Sequence, residues 1–311
     1  MKRIIGNILP IAVILIGLGF LLYPSVSNFL VELNGSRAVA NYDEAVADMD
    51  EQRYEELMSQ ALAYNERLAA SASGIDLLEA EAGSGLTSEY EQLLDVTGTG
   101  MMGYITIPKI GITMPIYHGV SEPVLQVGAG HLPDTSLPVG GASSHCVLSG
   151  HRGLPSAKLF TDLDQLTEGD IFYLKVLDQV LAYKVYAIET VLPTETSSLA
   201  IQQGRDLVTL VTCTPYGVNS HRLLIHAERT DYVPEDGDIV IAPGLNIPWP
   251  YLLLMLALVV IAIVVGIIRH RAKKFNAREL GSSLGADALG ASAEFALARE
   301  KRKGKRGKHA R

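Results

Sequence analysis

Two cysteines, Cys146 and Cys213, are all the thiol chemistry available in 311 residues. There is no Cys-x-x-Cys pair, which argues against a membrane-tethered thiol redox protein, the remote alternative among function classes. Nor do the eight histidines include a His-x-x-x-His pair that would set two rings on one helix face around zinc. His145 and Cys146 are adjacent, so in a strand they point to opposite faces. No metal and no cofactor are expected. Charge is absent from residues 251–268, which at 1.5 Å per residue give about 27 Å of helix, close to the hydrocarbon thickness of a bilayer. Trp249 and Tyr251 suit the interface before this span. Arg269, His270, Arg271, Lys273 and Lys274 follow it and by the positive-inside rule face the cytoplasm.

A second apolar stretch, residues 8–23, follows Lys2 and Arg3 and also starts inside. It is either an uncleaved anchor or a signal peptide cut after Ser25-Val26-Ser27. The chain therefore divides into an N-terminal transmembrane anchor or signal peptide (1–27), an extracellular region that is helical in part (28–98) and a domain of short apolar runs (99–232). A linker (233–248), a C-terminal transmembrane helix (249–268) and a basic cytoplasmic tail (269–311) follow. The expected location is the cell membrane, with residues 28–248 outside. The net charge of −8 hides a strongly basic end from Lys301 onward, better read as attracted to anionic lipid than to nucleic acid, which is not an expected partner. The outer compartment permits a disulfide, but Cys146 sits in an apolar run where buried free thiols are common, and no bridge is expected.

Residues 36–70 place Val39, Tyr42, Val46, Met49, Leu57, Met58 and Leu62 at helical spacing and predict an amphipathic helix. Residues 71–98 read as a loop. From Gly103 onward, short Ile-, Val-, Tyr- and Leu-rich runs alternate with Gly and Pro, which predicts an antiparallel β-sandwich or barrel. Expected strands are 104–107, 146–148, 171–176, 182–191, 207–212 and 222–228, with a short helix over 158–166.

The run Thr209-Leu210-Val211-Thr212-Cys213-Thr214-Pro215 delivers Cys213 to a strand end, where Pro215 and Gly217 break the ladder. Cys146-Val147-Leu148-Ser149-Gly150-His151 does the same for His151, and Arg222 follows nine residues after Cys213. A thiol becomes a useful nucleophile when a nearby cation favours the thiolate. A histidine can protonate a departing amine, and an arginine offers fixed, charged donors to an oxyanion. Cys213 is thus expected as nucleophile, His151 as general acid then base, and Arg222 as oxyanion or substrate clamp.

Ser149-Gly150-His151-Arg152-Gly153, residues 209–215 and Asn219-Ser220-His221-Arg222 resemble the signature stretches of the sortases, cysteine transpeptidases of Gram-positive bacteria. Gly103-Tyr104-Ile105-Thr106-Ile107-Pro108, Pro115-Ile116-Tyr117-His118-Gly119 and Gly130-His131-Leu132 are similar to the class C, pilus-assembling members. The resemblance covers about residues 99–232. It implies a mainly β fold, a closed eight-stranded barrel with short helices, flanked here by the N-terminal helical/lid extension and transmembrane helices. It implies the same three catalytic residues, and a substrate-orienting role for Thr212. The implied reaction cuts a Leu-Pro-x-Thr-Gly signal after Thr, holds the acyl group on Cys213 and passes it to an amine. The implied partners are pilins or surface proteins bearing such signals, with a pilin lysine as acceptor. A cell-wall precursor amine is the alternative. The class C lid motif, Asp-Pro-aromatic, is absent before Gly103, and Asp76 with Leu77 is the possible substitute plug. Leu132-Pro133-Asp134-Thr135-Ser136 looks like a sorting signal, but no span follows closely, and it is expected to be a barrel loop.

Overall fold

The computed structural model describes residues 2–71 and 89–231, together with residues 252, 254–258, 261 and 265–266. Two units are present, Met1–Asn246 and Ile247–Arg311. The second contributes only the few helical residues of 252–266, so most of the expected C-terminal span, and the tail after it, lie outside the described residues. Among the described residues, no helix is long and apolar enough to cross a membrane.

In the first unit, helix α1 (Lys2–Ala47) and helix α2 (Glu51–Ser71) precede an eight-stranded barrel. The single helix expected over 36–70 is two. The chain turns at residues 48–50, and the Asp50 carboxylate accepts the Arg53 N–H at 2.7 Å, capping the new helix. The apolar stripe does pack: Val39, Tyr42 and Leu57 are buried, and Met49 and Met58 lie against the core. Leu62 does not and stays exposed. α1 is fastened through Tyr42, whose hydroxyl donates to Met102 O (2.9 Å) and accepts from Leu177 N (2.8 Å). Asp43 meets Lys175 Nζ at 2.9 Å. α2 is fastened by Asn65, whose amide exchanges two hydrogen bonds with the Leu137 backbone (2.7 and 3.1 Å).

The strands are β1 (Met101–Ile107), β2 (Ile112–His118), β3 (Ala129–His131), β4 (Ser144–Ser149), β5 (Ile171–Val176), β6 (Gln179–Val191), β7 (Asp206–Thr214) and β8 (His221–Thr230). A short helix, α3 (Glu122–Leu125), lies between β2 and β3. The barrel closes in the order β1-β2-β3-β4-β7-β8-β6-β5. β2 with β3 and β4 with β7 are parallel; the other pairings are antiparallel. The expectation of an antiparallel sheet is corrected at those two seams.

All six expected strands are present. β2 and β3 were not expected as strands. Pro115 within β2 gives no N–H to a ladder, and it is accommodated one residue before pairing with β3 begins at Ile116. The helix expected over 158–166 is instead a series of turns with one 3₁₀ turn, Leu163–Gln165. Leu159 has φ +40°, outside the right-handed helical region, and the Phe160 N–H goes to His151 O at 3.1 Å.

Alternation along β4, β7 and β8 divides two faces. Cys146, Leu148, Val208, Leu210, Leu223 and Ile225 fill the main core. Val147, Val211 and Leu224 face the other way and join Leu132 and Leu199 in a smaller cluster. Cys146 and Cys213 are both free. Cys146 aligns with Val208, five residues before Cys213 on β7 and on the opposite face. At about 3.3 Å per residue this separation cannot be bridged. Within 132–136, Leu132, Thr135 and Ser136 are buried between β3 and β4, so the segment that looks like a sorting signal is a barrel loop.

The end of the expected loop is also core: Tyr90, Leu93 and Leu94 are buried. Tyr90 donates to His131 Nδ1 at 2.7 Å and accepts the Gly119 N–H at 3.2 Å. Asp76 and Leu77, the possible lid, lie outside the described residues.

Candidate active site

Register sets two of the three sequence-predicted residues side by side. Cys213 on β7 is directly opposite Arg222 on β8, a pairing that puts both side chains on one face. β4 runs parallel to β7 with Ser149 opposite Val211, and the Gly150 N–H continues the ladder to Val211 O at 3.0 Å. His151 lies two residues beyond Ser149, past the end of β4. Cys213 and Arg222 thus form a row across β7 and β8, strands about 4.8 Å apart, and His151 follows the end of β4, the strand on the other side of β7. Val211 and Leu224, two residues from Cys213 and Arg222 on the same face, belong to the smaller apolar cluster.

Local structure opens the row to solvent. After Cys213 the chain turns through cis Thr214-Pro215, Gly217 at φ +74° and Asn219 at φ +59°, then returns as β8. Arg222 Nη1 donates to Asn219 O (3.3 Å) and His221 O (3.2 Å), and no carboxylate pairs with it among the described residues. Its remaining donors are free to meet an anion. Gly150 is required because a Cβ there would overlap the Phe160 ring, and Gly153 has φ +76° beneath the ring of exposed Tyr216.

Thr212 is buried, and its hydroxyl donates to Gly150 O at 2.7 Å. That hydroxyl ties the cysteine strand to the histidine turn. Its backbone stands in the ladder beside Leu223.

Two contributors were not singled out from sequence. Arg152, nearly buried, pairs with Asp164 and also donates to Thr161 O (3.2 Å) and Thr214 Oγ1 (3.1 Å), locking the turn after His151 to the end of β7. Glu122, the first residue of α3, brings Oε2 to 3.2 Å from His151 Nε2. Its other oxygen accepts from Gln126 Nε2 at 3.0 Å, and these two bonds, Gln126's first, hold the carboxyl below its ordinary range. The i, i+4 spacing of Glu122 and Gln126 was legible, but nothing in the chain aims either at His151, twenty-nine residues away.

Further along the same face lies a polar chain. His145 Nδ1 donates to Ala200 O (3.0 Å), Nε2 meets Thr209 Oγ1 (2.7 Å), and Thr209 meets His226 Nδ1 (2.8 Å). His226 Nε2 has no hydrogen bond and lies 3.6 Å from the Glu189 carboxylate. Burial lowers both rings, His145 to about 4. Burial also pushes the Cys146 thiol well up, which keeps it neutral and inert.

A thiol and a guanidinium paired across two strands, with an imidazole following the end of the neighbouring strand, suit acyl transfer through a thioester. Comparison with known proteins agrees. The model of the sortase domain matches residues 105–230. The crystal structure of sortase C1 from Streptococcus agalactiae is 45% identical, covers 63% of this chain and 100% of its own, and superposes with a TM-score of 0.58. Streptococcus pneumoniae sortase C, whose structure bears on catalysis and pilin substrate specificity, is 44% identical over 63% of this chain and 97% of its own, with a TM-score of 0.58. Sortase A of Streptococcus agalactiae is 31% identical over 131 residues, which is 41% of this chain and 52% of that protein. The chain spans roughly half to three-fifths of the length of the curated relatives it matches. The protein belongs to the sortase family, and its structural neighbours are class C members.

Proposed function

We propose that this protein is a membrane-tethered class C sortase, a cysteine transpeptidase that cleaves a Leu-Pro-x-Thr-Gly-like signal between Thr and Gly and joins the acyl fragment to a pilin lysine. The observation that supports the reading best is the direct pairing of Cys213 with Arg222 across β7 and β8, beside the end of β4 from which His151 follows. Cys213 Sγ attacks the Thr carbonyl, and Arg222 donates to the resulting oxyanion. His151 protonates the departing glycine amine as the thioester forms. The acceptor amine then attacks the thioester, the C–S bond breaks, and the Cys213 thiolate is regenerated.

The likeness to the pneumococcal enzyme supports pilin as the substrate class. The uncharged stretch 251–268 and its basic flank support a membrane tether with the barrel outside. The test is intact mass of the full chain incubated with a Leu-Pro-x-Thr-Gly peptide, beside Cys213→Ala and Cys146→Ala. An acyl adduct retained without Cys146 and lost without Cys213 is expected. An adduct that survives Cys213→Ala, or no adduct on the unmodified protein, would overturn the reading.

A further inference from the structure

The one ion pair that His151 makes among the described residues is with a carboxylate that the reaction above does not use. Glu122 is exposed (64% of its side chain), so a substrate group can reach it, whereas His151 is only 25% exposed. Gln126 anchors one carboxylate oxygen and leaves the other at His151 Nε2. Arg152 is paired with Asp164, and Arg222 has no carboxylate partner among the described residues. The Arg222 guanidinium repels an incoming ammonium, and the Glu122 carboxylate offsets that repulsion.

The contact between Glu122 and His151 is satisfied only while Nε2 carries a proton. When His151 has given a proton to the leaving amine, a ring with its lone pair at Nε2 faces the carboxylate, and two acceptors stand 3.2 Å apart with no hydrogen between them. A primary ammonium carries three donors and can bond to both at once. We propose that Glu122 is the acceptor-amine clamp: with His151 it binds the ammonium of the incoming lysine side chain and selects for a cationic acceptor. This rests on the transpeptidase reading and names the site of its second half-reaction.

The step balances as follows. The ammonium gives one proton to His151 Nε2 and becomes a free amine. The amine nitrogen forms a bond to the thioester carbonyl carbon, the C–S bond breaks, and Cys213 leaves as thiolate. A second proton departs from the new amide nitrogen to solvent. The thiolate and the imidazolium are restored, and the imidazolium regains Glu122.

The experiment uses the full chain, first loaded with a Leu-Pro-x-Thr-Gly peptide so that the acyl-enzyme is seen by mass. It is then chased with either Nα-acetyl-lysine amide, a cation, or hydroxylamine, which is neutral at the assay pH. Glu122→Gln is expected to lower the ratio of lysine to hydroxylamine aminolysis by about fivefold, through KM for the amine, the size of an exposed ion pair. Glu122→Asp is expected to restore part of that ratio, and added salt to shrink the difference between variants. An unchanged ratio in Glu122→Gln would overturn the assignment, as would an equal slowing of both nucleophiles, which would mean that Glu122 acts only on His151 or on folding. Failure of the unmodified chain to form an acyl-enzyme would overturn the transpeptidase reading itself, which the mass measurement separates from failure of the clamp.

Discussion

Acid should unfold this protein through two histidines that take no part in the proposed chemistry. His131 is buried, bonded through Nδ1 to Tyr90 and through Nε2 to Ser136 O (2.9 Å), and burial lowers it to about 4. His145 is held between Ala200 and Thr209 and is likewise lowered to about 4. In an unfolded chain both titrate near 6.5. Because the folded values lie below the unfolded ones, the stabilisation is complete above about pH 6.5 and is lost progressively as pH falls through 6 and 5 towards 4. Moving from about pH 7.5 to about pH 4.5 costs roughly 2–3 kcal/mol per ring, or on the order of 5 kcal/mol for the pair. His226 is shifted in the same direction. Against a typical stability of roughly 5–15 kcal/mol, such a loss is large. In urea titrations followed by near-ultraviolet circular dichroism of the buried tyrosines, the midpoint should fall by about 2 M across that range. A midpoint that stays constant between pH 7.5 and pH 5, or rises, would refute the argument that these rings stay neutral in the fold.

Two substitutions test the supports of the site. Gly150→Ala forces a methyl into the Phe160 ring below the His151 turn; it should cost about 1–3 kcal/mol in denaturant midpoint and slow acylation of Cys213 by the peptide, while a variant as stable and as fast as the parent would contradict the packing. Tyr42→Phe strips Met102 O and Leu177 N of the hydroxyl they share in a buried setting. A loss of about 1–3 kcal/mol is expected by thermal or urea unfolding, and a neutral effect would show that α1 is not fastened to the barrel by this side chain.

Much of the architecture was legible from period and punctuation. Strands β1, β4, β5, β6, β7 and β8 announce themselves by β-branched and aromatic runs between Gly and Pro, because a pleated, half-buried surface rewards those side chains. β2 was hidden by Pro115, and β3 by its three residues, Ala-Gly-His, which carry no strand pattern of their own. Their pairing is decided by neighbours, as are the two parallel seams. The helical stripe of Val39, Tyr42 and Leu57 was readable, whereas its division at Asp50 depended on where the barrel let each helix lie.

The same division holds at the site. The sequence alone determined which side chains could do the chemistry: a lone thiol before a strand-breaking Pro, a histidine after a Gly, and an arginine at the next strand start. Chemistry is written in residue types and their local breakers, so those survive without coordinates. Only the tertiary structure decided that Thr212 spends its hydroxyl on Gly150, that Arg152 locks two turns together, and that Glu122 stands at His151. Those are contacts between residues far apart in the chain. Their geometry is fixed by strand register and barrel closure, which no local pattern encodes.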